Sequence, residues 1–258
     1  MNLKEKFFDF FNMYIEKKTT KKNISKTLKK LLPYKINYDL IRLGEDNDGG
    51  YLVPDDMKDI VKNYSAGVGN LSKFEKDLKE RFLIDSNMLD YNDINKNILP
   101  SGSRFFKKKL GIVTNKEELN INDWLKNENG EVIFKMDIEG DEYLTLASLS
   151  EENLKKIRIF VIEIHDLRNL RNYSFFRIFE KIISKLHDKF YFCHLHINNV
   201  SKVKNIGGYN VPDMIEITLI RKDRVKNFTN EFAKLPNKLD QKTVLNRNEI
   251  YIDQKWYH

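Results

Sequence analysis

The sequence predicts an α/β fold with a mostly parallel sheet covered on both faces by helices. Short apolar segments alternate with amphipathic helical segments from residue 64 onward, which is the pattern of βαβ units. A glycine pair follows the first of these apolar segments, and acidic residues follow a later one. A chain of 258 residues is long enough to bury one core of this kind.

The first half of the chain is assigned from its hydrophobic pattern and its turn residues. Two short strands, 38–43 and 50–53, flank the turn-forming run from Glu45 to Gly50. The apolar segment 64–68 is the first central strand, and an amphipathic helix at 71–79 follows it. The other elements predicted in this half are strands at 81–85, 110–113 and 131–137 and a helix at 121–126.

The second half contains the clearest strand of the sequence. The apolar run of the strand at 131–137 is short enough for a buried parallel strand, and the clearest strand covers residues 158–165. The elements predicted around it are helices at 141–149 and 173–186, strands at 190–195 and 214–220, and a loop at 198–213 that contains Gly207 and Gly208.

Residues 1–35 are predicted to form a basic amphipathic helical arm, and residues 36–258 form the main domain. Ten of the 45 basic residues but only three of the 38 acidic residues fall in the arm, so the arm carries the net charge of +7. Packing of the arm on the body or on a second subunit, which would make a homo-oligomer, is favoured over contact with an anionic surface. Its apolar residues repeat at helical spacing and are Leu3, Phe7, Phe10, Phe11, Tyr14 and Ile15.

Composition excludes several classes of protein. Outside the arm the charges balance, which argues against a nucleic-acid-binding protein, because such proteins carry a basic face. The single cysteine, Cys193, cannot form an intrachain disulfide. No apolar run approaches the roughly 20 residues that cross a bilayer, and no secretory signal is evident, so a cytoplasmic location is expected.

Gly67 and Gly69 follow the first central strand, where glycine lets the backbone approach a bound cofactor closely. Asp85 stands 18 residues after Gly67, at the predicted end of the second strand, as expected for a carboxylate that binds a ribose diol. The third glycine of the dinucleotide fingerprint is absent. This favours S-adenosylmethionine over NAD, because a pyrophosphate needs that glycine more than a nucleoside without phosphates does.

Acidic and imidazole side chains follow three of the predicted strands. Asp137 ends one strand, Glu163 and His165 end the next, and His194 and His196 follow a later one. Alternate residues of a strand share a face, so Glu163 and His165 point the same way. Because the carboxyl ends of parallel strands border the ligand cleft, Asp137 and His165 are the candidate catalytic residues.

Two imidazoles and one carboxylate form a common site for a divalent metal, and Asp137, His165 and His196 are the candidate ligands. An ion such as Fe, Mn or Mg would activate and orient an acceptor hydroxyl. Without a metal, His165 is the candidate general base, because imidazole titrates near neutral pH. A histidine taken alone is more often a hydrogen-bonded structural residue than a ligand.

Several segments resemble the FkbM-type family of S-adenosylmethionine-dependent O-methyltransferases, over roughly residues 40–220. The resemblance implies a seven-stranded Rossmann-like methyltransferase sheet, mostly parallel with an antiparallel last strand. It places S-adenosylmethionine over Gly67 and Gly69, with Asp85 on the ribose. Glu75 is included with these cofactor residues, although its polar setting alone would favour solvent exposure. The segments are Asp48 to Tyr51, Ser65 to Gly69 with Phe74-Glu75, Lys135 to Glu142, and Ile162 to His165.

The same resemblance implies methyl transfer to a hydroxyl of a sugar or sugar-nucleotide, in the biosynthesis of surface polysaccharides. Asn198, Asn199 and Tyr209 are expected to contact such an acceptor, because amides and phenols hydrogen-bond to polyols. Ordinary loop interactions of these residues are an equal alternative. An NAD-dependent nucleotide-sugar oxidoreductase or epimerase, and a noncatalytic scaffold of the same fold, are the alternative functions.

Overall fold

The computed structural model of the protein describes residues 15–258. Most apolar residues of the predicted arm, from Leu3 to Tyr14, lie outside the described residues. The strands are β1 (Leu40–Gly44), β2 (Gly50–Pro54), β3 (Ile60–Ala66), β4 (Ser86–Asp90), β5 (Arg104–Lys107), β6 (Lys109–Gly111), β7 (Glu118–Asn120), β8 (Glu131–Met136), β9 (Ile157–Ile164), β10 (Phe190–His196), β11 (Val203–Ile206), β12 (Tyr209–Pro212) and β13 (Ile215–Arg221). The α-helices are α1 (Lys21–Leu31), α2 (Lys73–Phe82), α3 (Ile121–Leu125), α4 (Glu142–Ser148), α5 (Glu151–Leu154) and α6 (Tyr173–Lys189).

Seven strands form the central sheet, in the order β10-β13-β9-β8-β3-β4-β5. The last strand, β13, runs antiparallel to its neighbours β9 and β10. The other five strands of the sheet, β9, β8, β3, β4 and β5, pair in parallel in that order. This confirms the predicted mostly parallel sheet with an antiparallel last strand. Every residue of β9 is buried, as its apolar sequence predicts.

Both faces of the sheet are covered, because side chains along each central strand alternate between two apolar clusters. In β8, Phe134 packs in the larger cluster under α6, whereas Ile133 packs in the smaller cluster under α2 and the β1–β2 hairpin. Helix α6 buries apolar residues three or four positions apart, which is the amphipathic spacing of a helix on a sheet. No helix between residues 15 and 258 combines the length and the apolar character that crossing a bilayer requires.

The prediction of a strand at 81–85 is wrong. Helix α2 continues to Phe82, Leu83 ends it in a left-handed conformation with φ +59°, and the next strand begins at Ser86. The short apolar run 82–84 suits the end of an amphipathic helix as well as a strand, and periodicity alone cannot separate the two. The consequence is that Asp85 stands at the amino end of a central strand, whereas Asp90 stands at its carboxyl end.

The third strand of the sheet also differs from the prediction. Residues 104–107 form the edge strand β5, whereas the predicted strand at 110–113 overlaps β6, which pairs with β7 in a separate small sheet. The loop predicted at 198–213 contains the hairpin of β11 and β12, whose turn is Gly207-Gly208.

The basic segment after residue 20 packs on the body. Ile24, Leu28 and Leu31 of α1 are fully buried, and the Lys30 ammonium lies 2.8 Å from the Glu180 carboxylate of α6. The apolar face of α1 is therefore part of the main core. The boundary between an arm and a domain at residue 35 stays a prediction.

The register of the strands aligns their ends. Cα pairs join Ala66 to Met136, Met136 to Ile162, and Glu216 to both Glu163 and His196. Residues 67, 137, 163, 216 and 196 therefore lie in one row across five neighbouring strands. Because paired residues of adjacent strands point to the same face, the polar side chains of this row face one side of the sheet edge.

We expect Leu28→Ala to lower the free energy of unfolding of the whole domain by about 2–5 kcal/mol, since it leaves a cavity in the main core. Lys29→Ala, on the exposed side of the same helix, should change it by less than about 0.5 kcal/mol. Urea unfolding followed by far-UV circular dichroism measures both. Equal, small effects of the two substitutions would mean that α1 is not part of the cooperative core.

Candidate functional site

The turn after β3 is built around Gly67. Its φ is +73°, and a Cβ added there would lie 1.4 Å from the Asp137 carbonyl oxygen. The Gly67 amide also donates to the Leu89 carbonyl at 2.9 Å. The turn is therefore wedged between the ends of β4 and β8, which only glycine permits. Gly69 also has a positive φ of +55°, but open space lies where its Cβ would be.

Asp90 holds this glycine turn in place. Its Oδ2 accepts hydrogen bonds from the Val68 amide at 3.0 Å and the Gly69 amide at 2.8 Å. Because Asp90 ends β4, it takes the place beside the glycine turn that the sequence analysis gives to Asp85.

A cavity of about 490 Å³ opens between the glycine turn and the ends of β3, β4 and β8. That volume lies in the range of about 300–1,000 Å³ that is usual for small-molecule sites. The wall is mixed in charge and contains a phenol ring. Its polar lining residues include Asp48, Tyr51, Asn70, Asp90, Asn92, Lys108, Lys109, Lys135, Asp137, Glu139 and Asp141.

Asp85 does not line this cavity. Its carboxylate lies 2.7 Å from the Lys79 ammonium and 4.0 Å from the Lys62 ammonium, at the opposite end of β4. The prediction that Asp85 ends the second strand beside the cofactor is corrected on this point, because the strand begins after Asp85.

Glu75 is fully buried and likewise does not line the cavity. Its Oε1 accepts a hydrogen bond from the Ser65 hydroxyl at 2.5 Å and lies 2.9 Å from the Lys135 ammonium. The expectation of solvent exposure is wrong, because Lys135 on β8 supplies the opposite charge that permits a buried carboxylate. Glu75 can reach a ligand only through Lys135, which does line the cavity.

His165 lies immediately after β9 and is surrounded by carboxylates. Its Nδ1 is 3.0 Å from Glu142 Oε1, which is a hydrogen bond. Its Nε2 lies 3.5 Å from Glu139, 3.5 Å from Glu163 and 3.9 Å from Asp137. These three separations are longer than a hydrogen bond with good geometry, so Nε2 faces the carboxylates without being bonded to them.

Glu142 organises both His165 and the loop that precedes it. Glu142 is fully buried, and its Oε1 is the atom that contacts His165. The same oxygen accepts hydrogen bonds from the Ile138 amide at 3.2 Å and the Gly140 amide at 3.1 Å. The loop needs this support because Glu139 and Gly140 both have positive φ angles, of +56° and +108°. With Nδ1 engaged by Glu142, the free nitrogen of the imidazole is Nε2.

Burial and mutual repulsion shift the pKa values of this cluster. Burial raises the pKa of Asp137 to about 7, against the opposing effect of His165. Burial, with the negative charge of Asp137, raises the pKa of Glu163 to about 10. Burial alone would lower the pKa of His165, but the hydrogen bond and charge of Glu142 raise it above its usual value. The carboxylates and the imidazole therefore share protons at neutral pH.

The family described as Methyltransferase FkbM domain matches residues 40–192, which span the glycine turn, the acidic loop and His165. The chain belongs to the FkbM methyltransferase family. It is an S-adenosylmethionine-dependent methyltransferase, as the sequence analysis expects. No curated protein matches the chain.

Two solved structures are similar to this FkbM methyltransferase in part. A precorrin-6y C5,15-methyltransferase from Geobacter metallireducens GS-15 is 12% identical, with a TM-score of 0.33 over 63% of this chain and 80% of that chain. M. capricolum TrmK in complex with S-adenosyl-homocysteine is 14% identical, with a TM-score of 0.29 over 70% of this chain and 69% of that chain. At these TM-scores the similarities carry no argument.

His196 is not grouped with Asp137 and His165 in this FkbM methyltransferase. Its Nδ1 is 3.1 Å from Glu216 and its Nε2 is 3.8 Å from Glu249. The register puts His196 on the edge strand, beyond β13 and β9, so the metal trio of the sequence analysis is wrong in its third member. Burial opposes a charged His196, but the hydrogen bond and charge of Glu216 raise its pKa to about 9.

The three residues predicted to contact the methyl acceptor have partners within the protein. Asn199 donates to the Val244 carbonyl at 2.9 Å and accepts from the Val244 amide at 2.8 Å, so it fastens the C-terminal segment. Tyr209 is buried in the main core. Asn198 is buried too, with its amide 3.5 Å from Glu163 Oε1. The expectation of acceptor contacts is corrected for Asn199 and Tyr209, whereas Asn198 adjoins the site through Glu163.

Sequence reasoning missed Asp90 and Glu142 as site residues. The signal for Asp90 was present, because an acidic residue follows the apolar pair Met88-Leu89 just as Asp137 follows Met136. Glu142 carried no such signal, because an acidic residue at a helix N-terminus is common for electrostatic reasons alone.

We expect Gly67→Ala to destabilise the FkbM methyltransferase more than Gly69→Ala does. Both substitutions place a side chain at positive φ, at a cost of about 1–2 kcal/mol. Only Gly67→Ala also forces β3 away from the Asp137 carbonyl, because its Cβ would lie 1.4 Å from that oxygen. Urea unfolding of the two variants measures the difference, and equal losses would contradict the close approach.

Proposed function

We propose that this methyltransferase transfers the methyl group of S-adenosylmethionine to a hydroxyl of a sugar or sugar-nucleotide. The observation that carries the proposal is the unbonded Nε2 of His165, which faces three carboxylates, two of them, Asp137 and Glu139, on the wall of the cavity. It offers a proton acceptor next to the place where the family binds its cofactor.

The cavity suits S-adenosylmethionine in shape and charge. Gly67, Val68 and Gly69 line the cavity, with open space where a Gly69 Cβ would be, and Asp90 ends β4 beside them with a carboxylate for a ribose diol. The cofactor supplies an electrophilic methyl group on a sulfonium cation. The carboxylates of Asp137, Glu139 and Asp141 on the cavity wall favour such a cation.

His165 is the proposed general base. Its Nδ1 is committed to Glu142, so Nε2 takes the proton of the acceptor hydroxyl as the oxygen gains the methyl group. Glu139 and Asp137 lie 3.5 Å and 3.9 Å from Nε2, and their negative charge stabilises the imidazolium that results. Positioning of the hydroxyl against the methyl group supplies much of the acceleration.

The acceptor class rests on the polar groups around the cavity and on the family. Carboxylates accept hydrogen bonds from hydroxyl groups, and Asp48, Glu139 and Glu163 supply such acceptors near His165. A polyhydroxylated acceptor fits this surface better than an apolar one. Surface polysaccharide biosynthesis is the proposed context, by the resemblance to relatives that act on sugars.

We expect Asp90→Ala to weaken S-adenosylmethionine binding about tenfold or more, because a hydrogen bond to a charged group contributes about 1.5–3 kcal/mol. Asp85→Ala is the matched control, at the other end of the same strand, and should leave the dissociation constant within about twofold. Isothermal titration calorimetry measures both. Weaker binding by Asp85→Ala alone would restore Asp85 to the ribose site.

We expect His165→Ala to lower turnover about 10²–10⁴-fold, which is the usual contribution of a general base, while S-adenosylmethionine affinity changes little. His258→Ala, at the C-terminal residue, is the control. Turnover is measured as S-adenosylhomocysteine release with a panel of monosaccharides and nucleotide sugars.

The same panel separates the alternatives. Binding of S-adenosylmethionine without release of S-adenosylhomocysteine for any acceptor favours a noncatalytic scaffold. Binding of NAD in place of S-adenosylmethionine favours an oxidoreductase. Full turnover by His165→Ala would refute the general base.

A further inference from the structure

We propose that Asp137, Glu163 and His165 form a binding site for one divalent cation, Mn(II) or Mg(II), at the carboxyl ends of β8 and β9. The inference rests on the proposed function and changes one step of it: when the ion is bound, His165 Nε2 is a ligand, and the Lewis acidity of the ion would favour loss of the hydroxyl proton to solvent in place of the general base. Metal binding is measured without turnover, so the two proposals can fail separately.

The geometry of the three side chains suits an ion. One ligand atom of each residue, an oxygen of Asp137, an oxygen of Glu163 and a nitrogen of His165, lies within 4.8 Å of the other two. Two donors that each lie about 2.1 Å from a common ion are separated by roughly 3.0–4.2 Å, according to the angle between them. The distances of 3.5 Å from Glu163 Oε1 and 3.9 Å from Asp137 Oδ1 to His165 Nε2 fall in that interval.

The same atoms lack other partners. Asp137 Oδ1 is buried and makes no hydrogen bond within residues 15–258. The His165 side chain is only 9% exposed, and its Nε2 has no hydrogen bond to any residue of the described chain. The Glu163 side chain is 6% exposed. Within the described residues it accepts one hydrogen bond, from the Asn198 amide at 3.5 Å. Buried acceptors of this kind require a partner, and a cation between them supplies it.

Nearby protein cations do not fill this role. Lys135 reaches the same cavity, but its ammonium lies 2.9 Å from Glu75 on the other side of β8. Arg168, after β9, is 2.5 Å from both Asp166 and Asp213. Within residues 15–258, no lysine or arginine lies within ion-pair distance of the Asp137 or Glu163 carboxylate, although the charge of Lys135 acts on Asp137 from a greater distance.

Glu142 is placed as the residue that orients the histidine ligand. Metal-binding histidines usually donate their second ring N–H to a carboxylate, which fixes the tautomer and the ring plane. Glu142 Oε1 lies 3.0 Å from Nδ1 and is itself held by two backbone amides. This leaves the Nε2 lone pair directed at Asp137 and Glu163.

The donor set indicates which ions bind. Two carboxylates with one imidazole form a mostly hard, oxygen-rich set, which suits Mg(II) and Mn(II) better than thiophilic ions. Asp137 lines the cavity, so coordination positions not taken by the protein open toward it. A bound ion would supply Lewis acidity, which favours loss of a proton from a coordinated hydroxyl.

The test is Mn(II) binding to the full chain after removal of metals with EDTA and of the EDTA itself, followed by electron paramagnetic resonance of free Mn(II), by pulsed electron paramagnetic resonance of bound Mn(II) and by calorimetry. We expect one ion per chain and a nitrogen coupling from one imidazole, which His165→Ala removes. Glu163→Gln keeps the size of the side chain and should weaken binding more than 100-fold. Glu142→Gln should weaken it about 10–100-fold, as is usual for a residue that orients a ligand.

Asp93→Asn is the control, because this exposed carboxylate pairs with Lys107 and lies outside both the cavity wall and the three ligands. It should change Mn(II) affinity less than threefold, and thermal unfolding checks that each variant is folded. The proposal is overturned if the wild-type chain binds no Mn(II) at millimolar concentration, or if a folded Glu163→Gln binds as tightly as wild type. Full methyl transfer in EDTA with no bound ion would overturn a role for the ion while leaving the proposed function intact.

Discussion

The structure depends on the close approach of the Gly67 turn to the Asp137 carbonyl at the edge of the parallel sheet. This contact fixes how far β3 and β8 extend, and the register then sets the level of every strand beside them. Because β9 and β13 continue the same register, Glu163 and Glu216 stand level with Asp137. The close packing of two backbones therefore places the cavity beside the acidic edge of the sheet, which is the row of Asp137, Glu163 and Glu216.

The acidic edge is held by hydrogen bonds from the backbone more than by opposite charges. Glu142 accepts two amide hydrogen bonds and also binds His165, so a single buried carboxylate sets both the loop and the imidazole. The carboxylates that remain crowd the free nitrogen, and burial raises the pKa of Asp137 and of Glu163. Such an arrangement costs stability, and groups of this kind are retained where they bind a proton or a cation.

Polar residues farther along the edge serve the fold. Asp240 lies 2.9 Å from His194, and Asn199 binds the backbone of Val244, so both fasten the irregular C-terminal segment across the end of β10. Trp256 then anchors the end of that segment in the main core. The histidines of β10 are thus structural neighbours of the site, which separates them in function from His165.

The fold class and the family follow from the amino-acid sequence alone, as does the presence of acidic residues at the ends of the central strands. Residues 159–164 are apolar except for Glu163, and the glycines of the turn and the acid at the end of β8 follow local rules of strand and turn chemistry. These features depend on residues close together in the chain, so local patterns reveal them. The same patterns could not separate the end of α2 from a strand, and this put Asp85, in place of Asp90, at the predicted carboxyl end of the second central strand.

Which polar residues meet depends on the tertiary structure. The order of the strands places β13 between β9 and β10, so His196 lies beyond Glu216 and Glu163 takes the place beside His165. Lys135 crosses to Glu75 and makes that carboxylate a core residue, and Asn199 and Tyr209 are drawn into packing. The contacts of His196, Glu75 and Asn199 join residues far apart in the chain. Strand order and burial set them, and neither can be read from local spacing.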